Sequence, residues 1–280
     1  LANLRHAPNI NGQSFTNMGT ITISENSLVD VSSNQAGTVK IRAGDLLIDH
    51  STVSADTTDL DGVPVAIDID VIGAVSLSNT DIPALAARSF GAGRAGDTII
   101  SSGSLTGTFS SLDFGTALID THTVGTGNGG NVTIKTGPLT VNGDPSAPGN
   151  FIYSGTLGDG NGGNVTITAG DVQIVSSGIN TGDNTFSAFG NAGNITISSN
   201  SLVLDTGSLL ADSFFAQGGA ISLESSGLMN LSNFSSISNN TLLGNNPLTM
   251  KADRILLSDG SFVLTGTALG DGGDVSVTAR

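Results

Sequence analysis

A five-residue phrase recurs along this chain: Gly130-Asn131-Val132-Thr133-Ile134, Gly163-Asn164-Val165-Thr166-Ile167 and Gly193-Asn194-Ile195-Thr196-Ile197. Gly219-Ala220-Ile221-Ser222-Leu223 and Gly273-Asp274-Val275-Ser276-Val277 are looser copies. Each copy is a small turn residue, an Asn or its substitute, and two aliphatics separated by a hydroxyl residue. The aliphatic–hydroxyl–aliphatic triplet reads as a strand with one buried face, because successive strand side chains point to opposite sides. Further triplets begin at Ile21, Val39, Val75, Thr98 and Leu248, giving ten anchors with successive spacings of 18, 36, 23, 34, 33, 30, 26, 27 and 27 residues. Repetition at roughly 20–50 residues is the signature of a solenoid, a propeller or an array.

A second aliphatic strand follows each anchor, as in Asp45-Leu46-Leu47-Ile48, Asp171-Val172-Gln173-Ile174 and Ser201-Leu202-Val203-Leu204. A third, shorter one follows that, as in Ser208-Leu209-Leu210-Ala211, Ser236-Ile237-Ser238 and Ser261-Phe262-Val263-Leu264, and then a Gly/Asn-rich turn. Three short strands per repeat, stacked on their copies, predict an all-β parallel β-helix. A propeller blade needs four antiparallel strands and a longer period. An isolated coil cannot offset the entropy of ordering itself and has no partners for its axial backbone groups, so stability must come from coil-on-coil stacking. At about 4.8 Å per step, nine steps predict a rod roughly 45 Å long.

The expected organisation is a lead-in at residues 1–16, irregular coils over 17–124 with an excursion at 57–64, and regular coils over 125–280 with an excursion at 142–150. The chain starts at Leu1 and stops at Arg280 inside a repeat, which reads as a segment cut from something longer. Asn131, Asn164 and Asn194 are expected at a turn, tolerating left-handed backbone and hydrogen-bonding along the axis. Thr133, Thr166 and Thr196 are expected to line one outward face.

Composition narrows the function classes. The formal charge is −15, and the nine Lys and Arg are scattered. Nucleic acid is excluded as an expected partner, since phosphate binding needs clustered cations. With no Cys, stability does not rest on disulfides. No apolar run reaches the length of a membrane-spanning helix, so membrane insertion is not expected.

Candidate chemistry is sparse. Asp59, Asp61, Asp68 and Asp70 are the densest carboxylate group. Two carboxylates facing one groove can hydrolyse a glycoside, and a set of carboxylate oxygens can hold calcium. An ordinary solvated strand face is the competing reading, and no catalytic, cofactor or metal residue is assigned. Gly158-Asp159-Gly160-Asn161-Gly162-Gly163-Asn164 lacks the nine-residue spacing of calcium-binding nonapeptide repeats. His6, His50 and His122 are far apart, without zinc-ligand spacing, and are read as surface or turn residues. There is no Gly-x-Ser-x-Gly elbow and no phosphate loop.

Gly127-Asn128-Gly129-Gly130-Asn131-Val132-Thr133-Ile134, its copy at 160–167, Gly190-Asn191-Ala192-Gly193-Asn194-Ile195-Thr196-Ile197, and Ser201-Leu202-Val203-Leu204-Asp205-Thr206-Gly207-Ser208 together carry a resemblance. They are similar to repeats of filamentous haemagglutinin-like exoproteins of the two-partner secretion type, in the form common among cyanobacteria. The resemblance covers about 125–280 well and 17–124 more weakly. It implies a right-handed parallel β-helical shaft on a large secreted or cell-surface protein that serves adhesion. The implied partners are surface glycans or proteins of host or neighbouring cells, and an outer-membrane pore that recognises a secretion domain. That domain's Asn-Pro-Asn signature is not matched, since Asn9-Ile10-Asn11-Gly12 departs at the Pro. The resemblance therefore places this segment downstream of it. The alternative expectations are a calcium-stiffened extracellular matrix component and a carbohydrate-active β-helix enzyme.

Overall fold

The computed structural model describes residues 17–80, 82–110, 117–147, 149–182, 188–242, 244, 246–269 and 271–280. These residues form a parallel β-solenoid of about eight turns built from three nine-stranded sheets, with three strands per coil and no helix among them. The anchor sheet begins with Val39–Ala43, Val65–Val71 and Asp97–Ser102 and ends with Val275–Ala279. The second sheet runs from Thr20–Ile23 and Asp45–Asp49 to Arg254–Leu257. The third runs from Leu28–Asp30 to Phe262–Leu264.

Register stacks like upon like. Val132, Val165, Ile195, Ile221, Leu248 and Val275 pair in succession on the anchor sheet. Leu139, Val172, Leu202, Met229 and Ile255 do so on the second. Ile119, Ile152, Ile179, Leu209 and Ile237 do so on the third. These columns meet on the axis as one continuous apolar core. A one-residue slip in any strand would turn its aliphatics outward, so the period-two pattern fixes the register. One departure shows how tightly the core is filled. A bulge after Asn150 turns Phe151 inward, fully buried. The opposing second-sheet position is Gly107, where a Cβ would lie 3.0 Å from the Phe151 ring and 3.1 Å from Leu118. Large faces small, as dense interiors require.

Two expected anchors are corrected. Ile21 pairs with Leu46, and Leu46 pairs with Val75, so both triplets lie in the second sheet. The missing anchor is Ile67-Asp68-Ile69, which joins Val39-Lys40-Ile41 to Thr98-Ile99-Ile100. Second-sheet strands carry the same triplet chemistry, and only register separates them. The corrected anchors at 39, 67, 98, 132, 165, 195, 221, 248 and 275 are 26 to 34 residues apart throughout. Nine strands give eight steps, or roughly 38 Å of rise.

Each corner of the coil has its own turn chemistry. Between the anchor and second sheets a main-chain ladder climbs the corner, with the amides of Gly73, Gly103, Gly137 and Gly170 each donating to the carbonyl one coil below. Between the second and third sheets the chain turns through left-handed residues, including His50 (φ 45°), Ser176 (49°) and Thr206 (52°). In the coil containing Leu139–Asn142 and Gly149–Tyr153 that corner is wider. There Asp144 accepts the amide and hydroxyl of Ser146, which holds its carboxyl below the usual range.

The third corner is longest. Residues 57–64, expected as an excursion, are an in-register part of it. Thr57 bridges Ser33 below and Ser89 above, and the amide of Gly62 donates to Arg94 O at 2.8 Å. Ser33, Thr57, Ser89, Thr123 and Thr156 form one bridged column, and Ser213, Thr241 and Thr267 another. Several of these hydroxyls donate to carbonyls of the corner, as Thr57 does to Leu60 O and Thr156 to Gly158 O. A loop this long satisfies its backbone by folding onto buried Ser and Thr side chains.

Candidate functional site

The Asn column stacks and hydrogen-bonds along the axis as expected, but without the left-handed backbone. Asn131, Asn164 and Asn194 do not have positive φ among the described residues. They serve as axial acceptors: Asn131 Oδ1 takes the Asn164 amide at 2.9 Å, Asn164 Oδ1 takes the Asn194 amide, and Asn194 Oδ1 takes the Ala220 amide. Asp97 starts the ladder, accepting from Asn131. A second ladder runs through Asn128, Asn161, Asn191 and Gln217. It was present in the Gly-Asn-Gly-Gly-Asn phrase and lies three residues before the first. Asp61 belongs to this system, since its Oδ1 accepts the amide of Arg94 one coil above.

The four-aspartate group does not form a cleft. Asp68 and Asp70 share the outer face of the anchor sheet, and Arg42 of the coil below covers them. Its Nη2 donates to Asp68 at 2.6 Å, and its Nε lies 3.8 Å from Asp70. Asp59 is exposed on the loop and Asp61 holds the ladder. Among the described residues no group of three or more His, Asp or Glu is placed to hold a metal ion. Thr133, Thr166 and Thr196 stack in one outward column, continued by Ser222, Thr249 and Ser276.

His6 lies outside the described residues. His50 occupies a turn, half exposed, with Nδ1 2.8 Å from Asp49. His122, read as a surface or turn residue, lies in the third corner but is buried. Its Nδ1 lies 2.6 Å from Asp120, and its ring stacks on Tyr153 at 5.0 Å between centroids. The sequence offered only the Asp-x-His spacing. The residue that encloses it comes from the next coil.

The densest polar constellation was not foreseen. It lies in the outward column that precedes the hydroxyl column: Ser32, Asp56, Arg88, His122, Gly155, Gly182, Asp212, Asn240 and Gly266. At one end Arg88 forks onto Asp56 of the coil below. Nη2 reaches Oδ2 at 2.7 Å, Nε lies 3.2 Å from both oxygens, and the main-chain amide donates to Oδ1 at 2.7 Å. The guanidinium carbon also stands 5.1 Å over the Phe90 ring. Burial pushes the Arg88 pKa down, but the Asp56 hydrogen bonds and the charges of Asp56 and Asp120 outweigh it and raise it.

At the other end the same column holds Asp212. Its Oδ1 accepts the Ser238 hydroxyl at 2.6 Å and the Asn240 amide at 2.5 Å. Burial raises its carboxyl above the ordinary value, and these two hydrogen bonds offset part of that. Beside it is a depression of about 170 Å³ lined by Phe214, Asn240, Leu242 and Ala268 among others. Phe214 is 44% exposed, and the neighbouring rings of Phe189 and Phe215 meet at 5.3 Å. A sequence signal exists: Arg88-Ser89-Phe90 and Asp212-Ser213-Phe214 carry Ser and Phe at matching positions of the repeat.

Among the described residues no helix is long and apolar enough to cross a membrane. Comparison with protein-family models, with curated proteins and with solved structures gives no match to this chain. The chain is a parallel β-solenoid of about eight turns with three sheets, whose most concentrated polar chemistry lies along one outward column at its third corner.

Proposed function

We propose that this chain is a structural and adhesive shaft segment of a large secreted or cell-surface exoprotein. One observation carries the reading: the polar side chains that recur from coil to coil serve the stack. The Asn ladders, the Ser/Thr column and Arg42 over Asp68 each tie one coil to the next. A catalytic solenoid keeps carboxylates open toward a groove, whereas here Asp61 and Asp68 are engaged by neighbouring coils. The repeats' resemblance to filamentous haemagglutinin-like exoproteins supports the same reading. In it, an outer-membrane pore exports the parent protein, and surface glycans or proteins of other cells are the targets. Many weak contacts along a stiff repeat add through multivalency.

The test is binding of the purified 280-residue chain to a broad glycan array and to intact cells, with calcium and with chelator. The expected result is retention on one or both surfaces, unchanged by chelator. Loss of binding in chelator would favour a calcium-stiffened matrix component. Depolymerisation of a printed polysaccharide would overturn the shaft reading in favour of an enzyme. A blank on both surfaces would remove adhesion from this segment.

A further inference from the structure

The outward column at the third corner presents the same carboxylate position twice. At Asp56 the next coil supplies a main-chain amide to Oδ1 at 2.7 Å, and its side chain, Arg88, fills the space beyond with a guanidinium. At Asp212 the next coil again supplies a main-chain amide to Oδ1, at 2.5 Å, but its side chain is Asn240. Asn240 is too short to fill that space, and the depression of about 170 Å³ lies there. Asn240 turns its Nδ2 to Ser238 Oγ at 2.8 Å. Among the described residues, Asp212 Oδ2 and Asn240 Oδ1 take no hydrogen bond. Both are acceptors. An aromatic ring borders each position: Phe90 from the arginine's coil at the first, Phe214 from the carboxylate's coil at the second.

We propose that the depression between Asp212, Phe214 and Asn240 is a docking site for an arginine side chain presented by a partner polypeptide. The molecule supplies the template, because it places a guanidinium of its own at the equivalent position against Asp56. A guanidinium is donor-only, which suits the unpartnered Oδ2 of Asp212, and it is planar, which suits a ring wall. Lysine offers a point charge without the fork. A net charge of −15 draws cationic partners to this surface. The site does not depend on the shaft reading: it stands or falls on its own chemistry.

The experiment titrates N-acetyl-arginine amide, and its lysine and citrulline counterparts, onto the full chain, followed through the Phe214 ring resonances. Arginine is expected to bind about fivefold or more tighter than lysine, and citrulline not measurably, since it keeps the shape and loses the charge. Asp212→Asn keeps the acceptor for Ser238 and the Asn240 amide, and is expected to weaken arginine binding about tenfold. Asn240→Arg is expected to fill the site from within, as Arg88 does at Asp56, and to abolish binding while the melting temperature holds or rises. Asp56→Asn serves as the control, because its position is already occupied, and is expected to leave binding unchanged. Equal binding of arginine and citrulline, undiminished binding to the Asp212→Asn variant or to a folded Asn240→Arg variant, or equal displacement by a neutral monosaccharide would each overturn the proposal.

Discussion

Gly193→Ala is expected to destabilise the chain by about 3 kcal/mol, lowering the melting temperature by roughly 6–12 °C. A Cβ at Gly193 would stand 1.9 Å from Gly163 O and 2.5 Å from Gly163 C, both main-chain atoms of the coil below. The constraint is space and not backbone conformation, since φ there is not positive. The same obstruction recurs at Gly130, Gly163 and Gly219, where the added atom meets a carbonyl oxygen at 2.1, 2.0 and 1.8 Å. Relief would require two coils to separate. That would strain the Asn ladder at Asn164–Asn194 and the main-chain bond from Gly193 to Thr181 O. Gly272→Ala is the control: a Cβ there meets nothing within 4 Å. Its melting temperature is expected to match the parent's, and thermal unfolding of both variants checks the pair. Equal melting temperatures for Gly193→Ala and Gly272→Ala would refute the steric account.

Arg88→Ala is expected to cost about 2–4 kcal/mol. Removing one partner of a largely buried ion pair leaves the other charge without compensation. The figure sits slightly below the range for fully buried pairs because the Arg88 side chain remains 27% exposed, against 11% for Asp56. A double-mutant cycle separates the lost pair from the lost packing. On the Arg88→Ala background, Asp56→Asn is expected to recover more than half of the loss, because it removes the stranded charge and keeps an acceptor for the residue-88 amide. Denaturant midpoints at low and high salt provide the readout. No recovery in the double variant would assign the cost to the guanidinium's packing over Phe90.

The architecture was legible because the core is written in a local code. Valine, isoleucine and leucine alternate with hydroxyl residues over three or four positions, and such alternation specifies a strand and its buried face without long-range information. Which sheet a strand joins is not local. Ile21 and Val75 carry the same triplet as true anchors, whereas Ile67-Asp68-Ile69 alternates as a strand but carries an acid where the other anchors carry a hydroxyl residue, Lys40 or Ile99. Arg42 offsets that acid from one coil below, 26 residues away in sequence. The same gap hid the polar column. Asp56 and Arg88 are 32 residues apart, and Asp212 and Asn240 are 28 apart, so each pair exists only once register is known. His122 shows the limit from another side, since neither of its neighbours in sequence announces that Tyr153 will cover it.

The parallel pairing of all three sheets also has a mechanical side. Strands lie across the rod, so the ladder hydrogen bonds point along it, and a pull on its two ends loads them in series. Every boundary between coils then bears the same force, and the weakest yields first. Each coil that peels away exchanges about 5 Å of axial rise for a contour of roughly 100 Å, given repeats of some 30 residues at about 3.4 Å apiece. The rod therefore gives way as a succession of small yields, each lengthening it about twentyfold locally while the remaining coils keep their stacking. Load applied sideways meets many coils at once and finds no such sequence of weak points.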